Sequence, residues 1–494
     1  VRRGGAIRYV AGGRIEEIRD LDPTIPLLDY LRIHRRRTGT KEGCAEGDCG
    51  ACTVVLAELR GRGLRYRAVN ACIHFLAMID GKALITVEDL ASAGENGRPH
   101  PVQCALAAHH GSQCGFCTPG FAMSLFALGK TRGGGGPPDR AVLDEALAGN
   151  LCRCTGYLPI ARAARGLDPG APDRFAREED ETIALLRRLR RRRGLAYRAG
   201  TKRFLAPRDT DEAAAILTRE AGATIVAGAT DAGLWITKEG REIETVVWLG
   251  AARDLARVEL GDEALVIGGA ATYADAMPAL TDAFPATAPM LKRLGSVQIR
   301  NMGTIGGNLA NASPIGDLAP LLIALDARLD LRRGDARRGI AVEDFFTGYR
   351  ETLLAPGEFI EAIRIPCPAP GVHLAVHKVS KRFDEDISTV LGAFSLTLED
   401  GVARAARIGM GGLAATPARA RLAEAAILGQ PWTKETVEGA KRALAIEFAP
   451  ITDMRASARY RALVAGRLLD RLLIETTAPE IATDVRRLAV AAGG

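Results

Sequence analysis

Nine of the ten cysteines in this 494-residue chain lie before residue 155. Thiolates bind soft metals or pair as disulfides, so the clustering itself narrows the chemistry. The first group is Cys44, Cys49, Cys52 and then Cys72, within KEGCAEGDCGACTVVL and VNACIHF. A gap of four residues, a gap of two and a distant fourth cysteine is the plant-type [2Fe–2S] spacing. Structural zinc favours two compact pairs, often with histidine. Disulfides are rare in cytosolic chains of this size. Gly43, Gly47 and Gly50 allow a tight loop whose amides point inward at the sulfurs.

The second group is Cys114 and Cys117 in GSQCGFCTPGF, then Cys152 and Cys154 in GNLCRCTGY. Between the pairs, PGFAMSLFALGK has helical apolar spacing, TRGGGGPPD is a loop, and RAVLDEALAGN is a second helix. Antiparallel, these helices would bring the two pairs together. Taken alone, Cys-x-x-Cys with Cys-x-Cys also fits zinc, and the iron–sulfur site upstream favours a second [2Fe–2S] cluster. Cys104 and Cys367 are read as small buried hydrophobes.

The elements that position these groups change character along the chain. The span 166–195 is charged and poor in aromatics, and reads as a linker. Its run Arg187 to Arg193 is read as a solvated linker or helix surface. The net charge of +7 is otherwise dispersed, which argues against a nucleic-acid partner. No run of about 18 apolar residues occurs, so no membrane span is expected. The start VRRGGAIRYV lacks a secretory apolar core, giving a cytoplasmic expectation. From residue 196, DTDEAAAILTREAGATIVAGATDAGLWITK reads as helix, strand and glycine turn. In SVQIRNMGTIGGNLANASPIGDLAPLLIAL, Gly303, Gly306 and Gly307 stand among Thr304, Asn308, Asn311 and Ser313. Such a segment offers many donors with little bulk, as a pyrophosphate requires, and also fits a plain polar loop. It is not the Rossmann fingerprint. Strands with Asp-Gly and Gly-Gly turns follow from Ile387, then three helices.

These strings together resemble the iron–sulfur and flavin portion of the molybdenum hydroxylase family, in the domain order of the xanthine dehydrogenase type. The resemblance covers about Ile7 to Glu475. It implies an α+β multidomain chain. Residues 1–83 would form a β-grasp [2Fe–2S] ferredoxin domain, and 84–165 a four-helix [2Fe–2S] domain. After the 166–195 linker, 196–370 would form a two-lobed FAD-binding domain of vanillyl-alcohol-oxidase type, and 371–494 a small α+β C-terminal domain. Matched position by position, it implies that Ile225, Val226, Ala227, Gly228, Ala229, Thr230, Asp231, Ala232, Gly233, Thr304, Gly307, Asn308, Asp317, Ile360 and Lys378 contact FAD. Leu294 stands where animal members carry an aromatic ring, so the resemblance does not extend to flavin stacking there. The loop Ser380 to Ser388, with Asp384, Glu385 and Asp386, reads either as a tuner of the flavin or as a solvated acidic turn.

The same resemblance implies no catalytic residue on this chain. Gln113 and the second cluster would face a molybdopterin cofactor on a partner subunit. Two such heterodimers would pair as a two-fold heterotetramer. Electrons would pass from the second cluster to the first, then to FAD and NAD. The reaction implied is purine oxidation of the hypoxanthine and xanthine type, with an aldehyde or another N-heterocycle as the alternative substrate. A ferredoxin-like carrier without flavin and a zinc-bound scaffold are the alternatives from other classes. Because the chain ends at Gly494 without a molybdopterin-binding segment, the hydroxylation site is expected on another polypeptide.

Overall fold

The computed structural model describes residues 5–91, 93, 97–132, 136–167 and 173–483. The start of the chain, residues 133–135 of the glycine run, 168–172 of the linker and the end from 484 lie outside the described residues. The chain forms two compact units. One comprises Val1–Leu255, Thr272–Ala274 and Gly295–Thr304, and the other Ala256–Ala271, Asp275–Leu294 and Ile305–Gly494.

The first unit begins with a five-stranded sheet of β1 (Ile7–Ala11), β2 (Arg14–Ile18), β3 (Thr53–Arg60), β4 (Gly63–Asn70) and β5 (Ala83–Ile85). Its order is β2-β1-β5-β3-β4, with β1 parallel to β5 and the other pairs antiparallel. The β1–β2 hairpin closes through Gly12 and Gly13, both at positive φ (56° and 72°), which two-residue turns of this hand require. β3 is buried on both faces. Val54 and Leu56 enter one apolar core with Cys52 and Cys72, while Val55 and Ala57 enter another with Phe121 and Phe126. This alternation follows from the two-residue period of a strand. It places the first cysteine group and the helical segment on opposite sides of one sheet. Full burial of each such aliphatic side chain contributes about 1.5–3 kcal/mol.

Four helices follow, Pro101–Ala108, Thr118–Arg132, Arg140–Leu147 and Leu158–Arg165. Asp139 caps the third by accepting from the Val142 amide at 2.8 Å. Within the span read as a linker, the described residues form two further helices, Arg174–Arg177 and Glu179–Leu189. The longer one buries Ile183, Leu186 and Leu189 against the sheet, an apolar stripe that its dense charges mask in the sequence. Arg191, in the basic run, is not simply solvated. It donates to both Asp80 carboxylate oxygens at 2.8 Å and to the Ala6 carbonyl at 2.6 Å.

Asp173 ties this region to the helical segment. It is buried, accepts from His100 Nε2 at 2.9 Å and Lys130 Nζ at 2.7 Å, and caps the Ala176 amide at 2.8 Å. Burial alone would raise its pKa, but these donors outweigh burial and hold it at about 2, below the ordinary 3.8. A depressed carboxylate stabilises the fold fully above its ordinary value, and that contribution is lost as pH falls toward the folded value. The expected result is that Asp173→Asn lowers the melting temperature at neutral pH and narrows the gap to wild type as pH falls from 3.8 toward about 2. A gap independent of pH over that window would contradict this assignment.

The first unit is completed by β6 (Leu195–Ala199), β7 (Lys202–Ala206), β8 (Thr224–Val226) and β9 (Thr245–Trp248), in the order β6-β7-β9-β8. Helix Thr210–Arg219 lies between β7 and β8 in the chain, and Asp209 caps it through the Glu212 amide.

The second unit holds a sheet of β10 (Val258–Leu260), β11 (Ala264–Gly268), β12 (Arg328–Arg333), β13 (Ala336–Ala341) and β16 (Phe359–Pro366), ordered β10-β11-β16-β12-β13. A small hairpin, β14 (Phe346–Gly348) and β15 (Glu351–Thr352), stands apart. β17 (Val372–Val379), β18 (Val390–Glu399), β19 (Val402–Gly411) and β20 (Ala418–Arg419) form a third sheet, with helices Arg421–Ile427, Lys434–Glu447 and Ala458–Thr477. The expected Asp-Gly turn joins β18 to β19, with Asp400 and Gly401 at φ 51° and 75°. The glycine-rich string is helical in three places rather than one loop, since Val297–Arg300, Ile305–Ala310 and Leu318–Ala324 all form helices.

Candidate redox centres

The first cysteine loop is wound tightly around its own sulfurs. Cys44 Sγ accepts from the amides of Glu46 (3.4 Å), Asp48 (3.4 Å) and Cys49 (3.3 Å). Gly47 and Gly50 sit at φ 81° and 69°, where a side chain is strained. The inward-facing amides expected from the glycines are therefore present. Cys52 Sγ lies 3.2 Å from Cys72 Sγ, both buried, so the distant fourth cysteine joins the loop. Cys44 also exchanges hydrogen bonds with the Cys49 and Cys72 thiols. These contacts pull the Cys44 thiol well below the ordinary range, that from Cys49 most strongly, and push Cys72 well above it, that from Cys44 most strongly. Four sulfurs gathered in one loop, with backbone amides aimed at one of them, suit a shared metal cluster.

Cys114 pairs with Cys154, and Cys117 with Cys152. The four line an open cavity of about 420 Å³ with Phe116, Leu151 and Tyr157. Cys152 Sγ accepts from Thr155 Oγ1 at 3.2 Å, and its amide donates to Tyr157 Oη at 2.9 Å. Tyr157 pays for this contact with a left-handed backbone, φ 67°. Neither Thr155 nor Tyr157 carries a spacing signal that a cysteine pattern would reveal. Cys114 and Cys154 are exposed, and Phe116, Leu151, Tyr157 and Leu158 are 43–53% exposed around them.

Among the described residues, no three of His, Cys, Asp and Glu converge on one point as a single ion requires. A [2Fe–2S] cluster instead spreads four thiolates over two irons, two on each, and each group here supplies four sulfurs. The donor chemistry of both quartets, all thiolate with amide donors at the first, fits that cluster. Cys104 departs from its reading as a buried hydrophobe. It is exposed on the outer side of its helix, with Sγ donating to the Pro99 carbonyl at 3.4 Å. Cys367 is partly exposed and donates to the Gly261 carbonyl at 3.5 Å.

The first unit also contains Ile225 to Gly233 and Thr304. Ala229 has φ 63°, and the Gly233 amide donates to the Ala229 carbonyl at 2.7 Å, closing the turn after β8. A Cβ on Gly228 would lie 2.2 Å from the Met302 carbonyl, so this turn packs on the segment leading to Thr304. A Cβ on Gly233 would lie 2.6 Å from the Ile73 carbonyl, next in the chain to Cys72. Lys238 Nζ reaches the Cys44 carbonyl at 2.5 Å. Hence the turn from Ile225 and the first cysteine loop are in direct contact. Gly233→Val is expected to cost about 1–3 kcal/mol through overpacking. It is also expected to reduce bound flavin. Unchanged melting and flavin content would show that the contact is not tight.

Within the second unit lie Gly307, Asn308, Asp317, Ile360 and Lys378. A Cβ on Gly306 would meet the Gly269 carbonyl at 2.3 Å, and one on Gly269 would meet the Ile360 carbonyl at 2.0 Å. The helix carrying Gly307 and Asn308 is thereby seated on the strand carrying Ile360. Asn308 Oδ1 is buried with no hydrogen-bond partner, the mark of an acceptor awaiting a ligand donor. Asp317 is buried and bonded to Lys378 Nζ on one oxygen and to Ser388 Oγ at 2.5 Å on the other. Ser388 was not singled out from sequence, where a lone serine gives no signal. Arg293 donates to the carbonyls of Phe383 (2.7 Å) and Lys378 (2.8 Å) and to Ser380 Oγ (2.8 Å), so the acidic loop is held rather than simply solvated. Leu294 is buried. The orphaned Asn308 oxygen and the close-packed glycines fit a flavin nucleotide.

Residues 86–165 match the family described as [2Fe-2S] binding domain. Residues 198–368 match FAD binding domain in molybdopterin dehydrogenase, and 375–476 match CO dehydrogenase flavoprotein C-terminal domain. A solved carbon monoxide dehydrogenase chain from Hydrogenophaga pseudoflava is 30% identical, with TM-score 0.52, covering 94% of that chain and 54% of this one. The chain belongs to the molybdenum hydroxylase family. Xanthine dehydrogenase from Emericella nidulans is 34% identical over 90% of this chain, and aldehyde oxidase 2 from Cavia porcellus 30% over 88%. This molybdenum hydroxylase chain spans 36% and 37% of the length of those two relatives. It carries the [2Fe–2S] and FAD-binding electron-transfer domains of an oxidoreductase in that family. Among the described residues, no helix is long and apolar enough to cross a membrane.

Proposed function

We propose that this chain is the electron-transfer part of a xanthine dehydrogenase-type enzyme. Cys114, Cys117, Cys152 and Cys154 hold a [2Fe–2S] cluster facing a molybdopterin-binding partner subunit. Cys44, Cys49, Cys52 and Cys72 hold a second one beside FAD, and NAD is the final acceptor. The clusters supply one-electron transfer, and the flavin converts single electrons to the hydride that nicotinamide accepts. The role of this chain's residues is to space, bury and hydrogen-bond those groups.

The observation that carries the reading is the contact of Ile73, next to Cys72, with Gly233 of the proposed FAD turn. It supports the reading of the first cysteine quartet as the one on the flavin side. The second quartet is supported as the outward-facing one by its exposed cysteines and apolar rim, suited to a partner in a two-fold heterotetramer. FAD contacts are proposed for Ile225 to Gly233, Thr304, Gly307, Asn308, Asp317, Ile360 and Lys378. The xanthine assignment follows from similarity to relatives that include an aldehyde oxidase, so the substrate is decided on the partner. The native complex is expected to form NADH when given xanthine. Xanthine-dependent oxygen consumption without NADH would overturn the NAD assignment, and turnover of aldehydes alone would overturn the purine assignment.

A further inference from the structure

A buried polar node lies between the two cysteine quartets. Gln298, on the helix Val297–Arg300, is 1% exposed. Its Nε2 lies 3.2 Å from Thr53 Oγ1, 3.1 Å from Ser124 Oγ and 3.1 Å from Asn150 Oδ1. Thr53 follows the ligand Cys52, Ser124 lies on the helix that follows Cys117, and Asn150 precedes Cys152. Asn150 in turn donates from Nδ2 to the Gly50 carbonyl at 3.1 Å and accepts from Ser124 Oγ at 2.6 Å. All four side chains are at most 4% exposed. The Gln298 Nε2 donors, both polar ends of Asn150 and the Ser124 hydroxyl all find partners, while Gln298 Oε1 is buried without one, and removing the amide donor strands the acceptors it serves.

The node flanks a direct backbone connection between the quartets. Cys49 offers its carbonyl to the Leu151 amide at 3.0 Å, and Leu151 is covalently joined to Cys152. Only one non-covalent step therefore separates a ligand of one quartet from a ligand of the other. The backbone is crowded on both sides of it. A Cβ on Gly50 would lie 2.0 Å from the Gly149 carbonyl, and one on Gly120 would lie 2.3 Å from the Gly50 carbonyl. At such separations the chain has no slack, and the side-chain amide of Gln298 reaches a residue on each of the three segments that cross there.

We infer that Gln298 is a positioning residue that sets the electronic coupling between the two clusters. It does so by holding Thr53, Ser124 and Asn150 so that the Cys49 carbonyl stays bonded to the Leu151 amide. The inference rests on the two-cluster reading above. In the step it serves, one cluster is oxidised by one electron as the other is reduced by one, with no proton or bond exchanged.

The test compares wild type with Gln298→Leu, which keeps the volume and removes the amide, and with Ser124→Ala, which removes one partner only. Holoprotein carrying the full chain is reduced completely, and the low-temperature paramagnetic resonance of the two clusters is recorded. Their mutual magnetic splitting is the readout, together with iron content. The expected result is full iron in both variants, with the splitting lost in Gln298→Leu and diminished in Ser124→Ala. Two cluster signals with unchanged splitting in the variants would overturn the inference and leave the two-cluster reading standing. If Gln298→Leu fails to fold, Ser124→Ala decides by the same criterion. Fewer than two cluster signals in wild type would overturn the two-cluster reading, and the inference with it.

Discussion

Cys72→Ala is expected to remove one of two cluster signals and half of the bound iron, while leaving the other cluster and the flavin in place. Cys72 is the proposed ligand farthest in sequence from the rest of its quartet, yet it is buried and its sulfur lies 3.2 Å from Cys52 Sγ. Alanine leaves three thiolates where two irons need four, and no other Cys or His of the described residues joins the quartet. The second quartet lies on the other stretch of chain and keeps all its sulfurs. The functional consequence is a broken circuit. NADH oxidation by an artificial acceptor at the flavin should persist, while partner-driven NAD reduction falls to background. Cys104→Ser is the control, because Cys104 is exposed and bonds only to the Pro99 carbonyl through its thiol. Equal loss of both clusters in Cys72→Ala, or loss of iron in Cys104→Ser, would contradict the ligand assignment.

The largest effect on stability is expected from Asp317→Ala. Asp317, Lys378 and Ser388 are 7%, 8% and 2% exposed. Truncation leaves the Lys378 ammonium buried without its counter-charge and the Ser388 hydroxyl without its acceptor. Breaking a buried pair by removing one partner costs about 3–5 kcal/mol. Asp317 also anchors both ends of the acidic loop, since Lys378 precedes it and Ser388 closes it. Loss of FAD should therefore accompany loss of stability in the second unit. Chemical denaturation with flavin release as a parallel readout checks this. A cost below about 1 kcal/mol, the range of an exposed ion pair, would show that the trio is not buried as described.

How much of this was legible in the sequence depends on distance along the chain. The Cys44–Cys52 loop was readable because its spacing is local and its glycines enforce the turn. The helices around the second quartet were readable from apolar periodicity and from caps such as Asp139. Contacts between distant segments left no such trace. Gln298 meets Thr53 across 245 residues, and Ser388 meets Asp317 across 71, and each is a single polar side chain without a pattern. The helix Glu179–Leu189 was missed because three apolar residues were outweighed by their charged neighbours. Cys104 was misread because cysteine prefers burial on average, while its helix turns that position to solvent. The proposed FAD turn shows both sides. Its strand and glycines were visible, but not the packing of Gly233 on Ile73, which connects it to the first cysteine loop.

The central claim is that eight cysteines hold two [2Fe–2S] clusters in series with one flavin. It is tested most directly by quantifying iron, acid-labile sulfide and FAD in the purified native complex and integrating its paramagnetic resonance after full reduction. The account predicts iron and sulfide matching two clusters per chain, two distinct signals of one spin each, and equimolar FAD. A single signal, zinc in place of iron at either quartet, or clusters without flavin would contradict it.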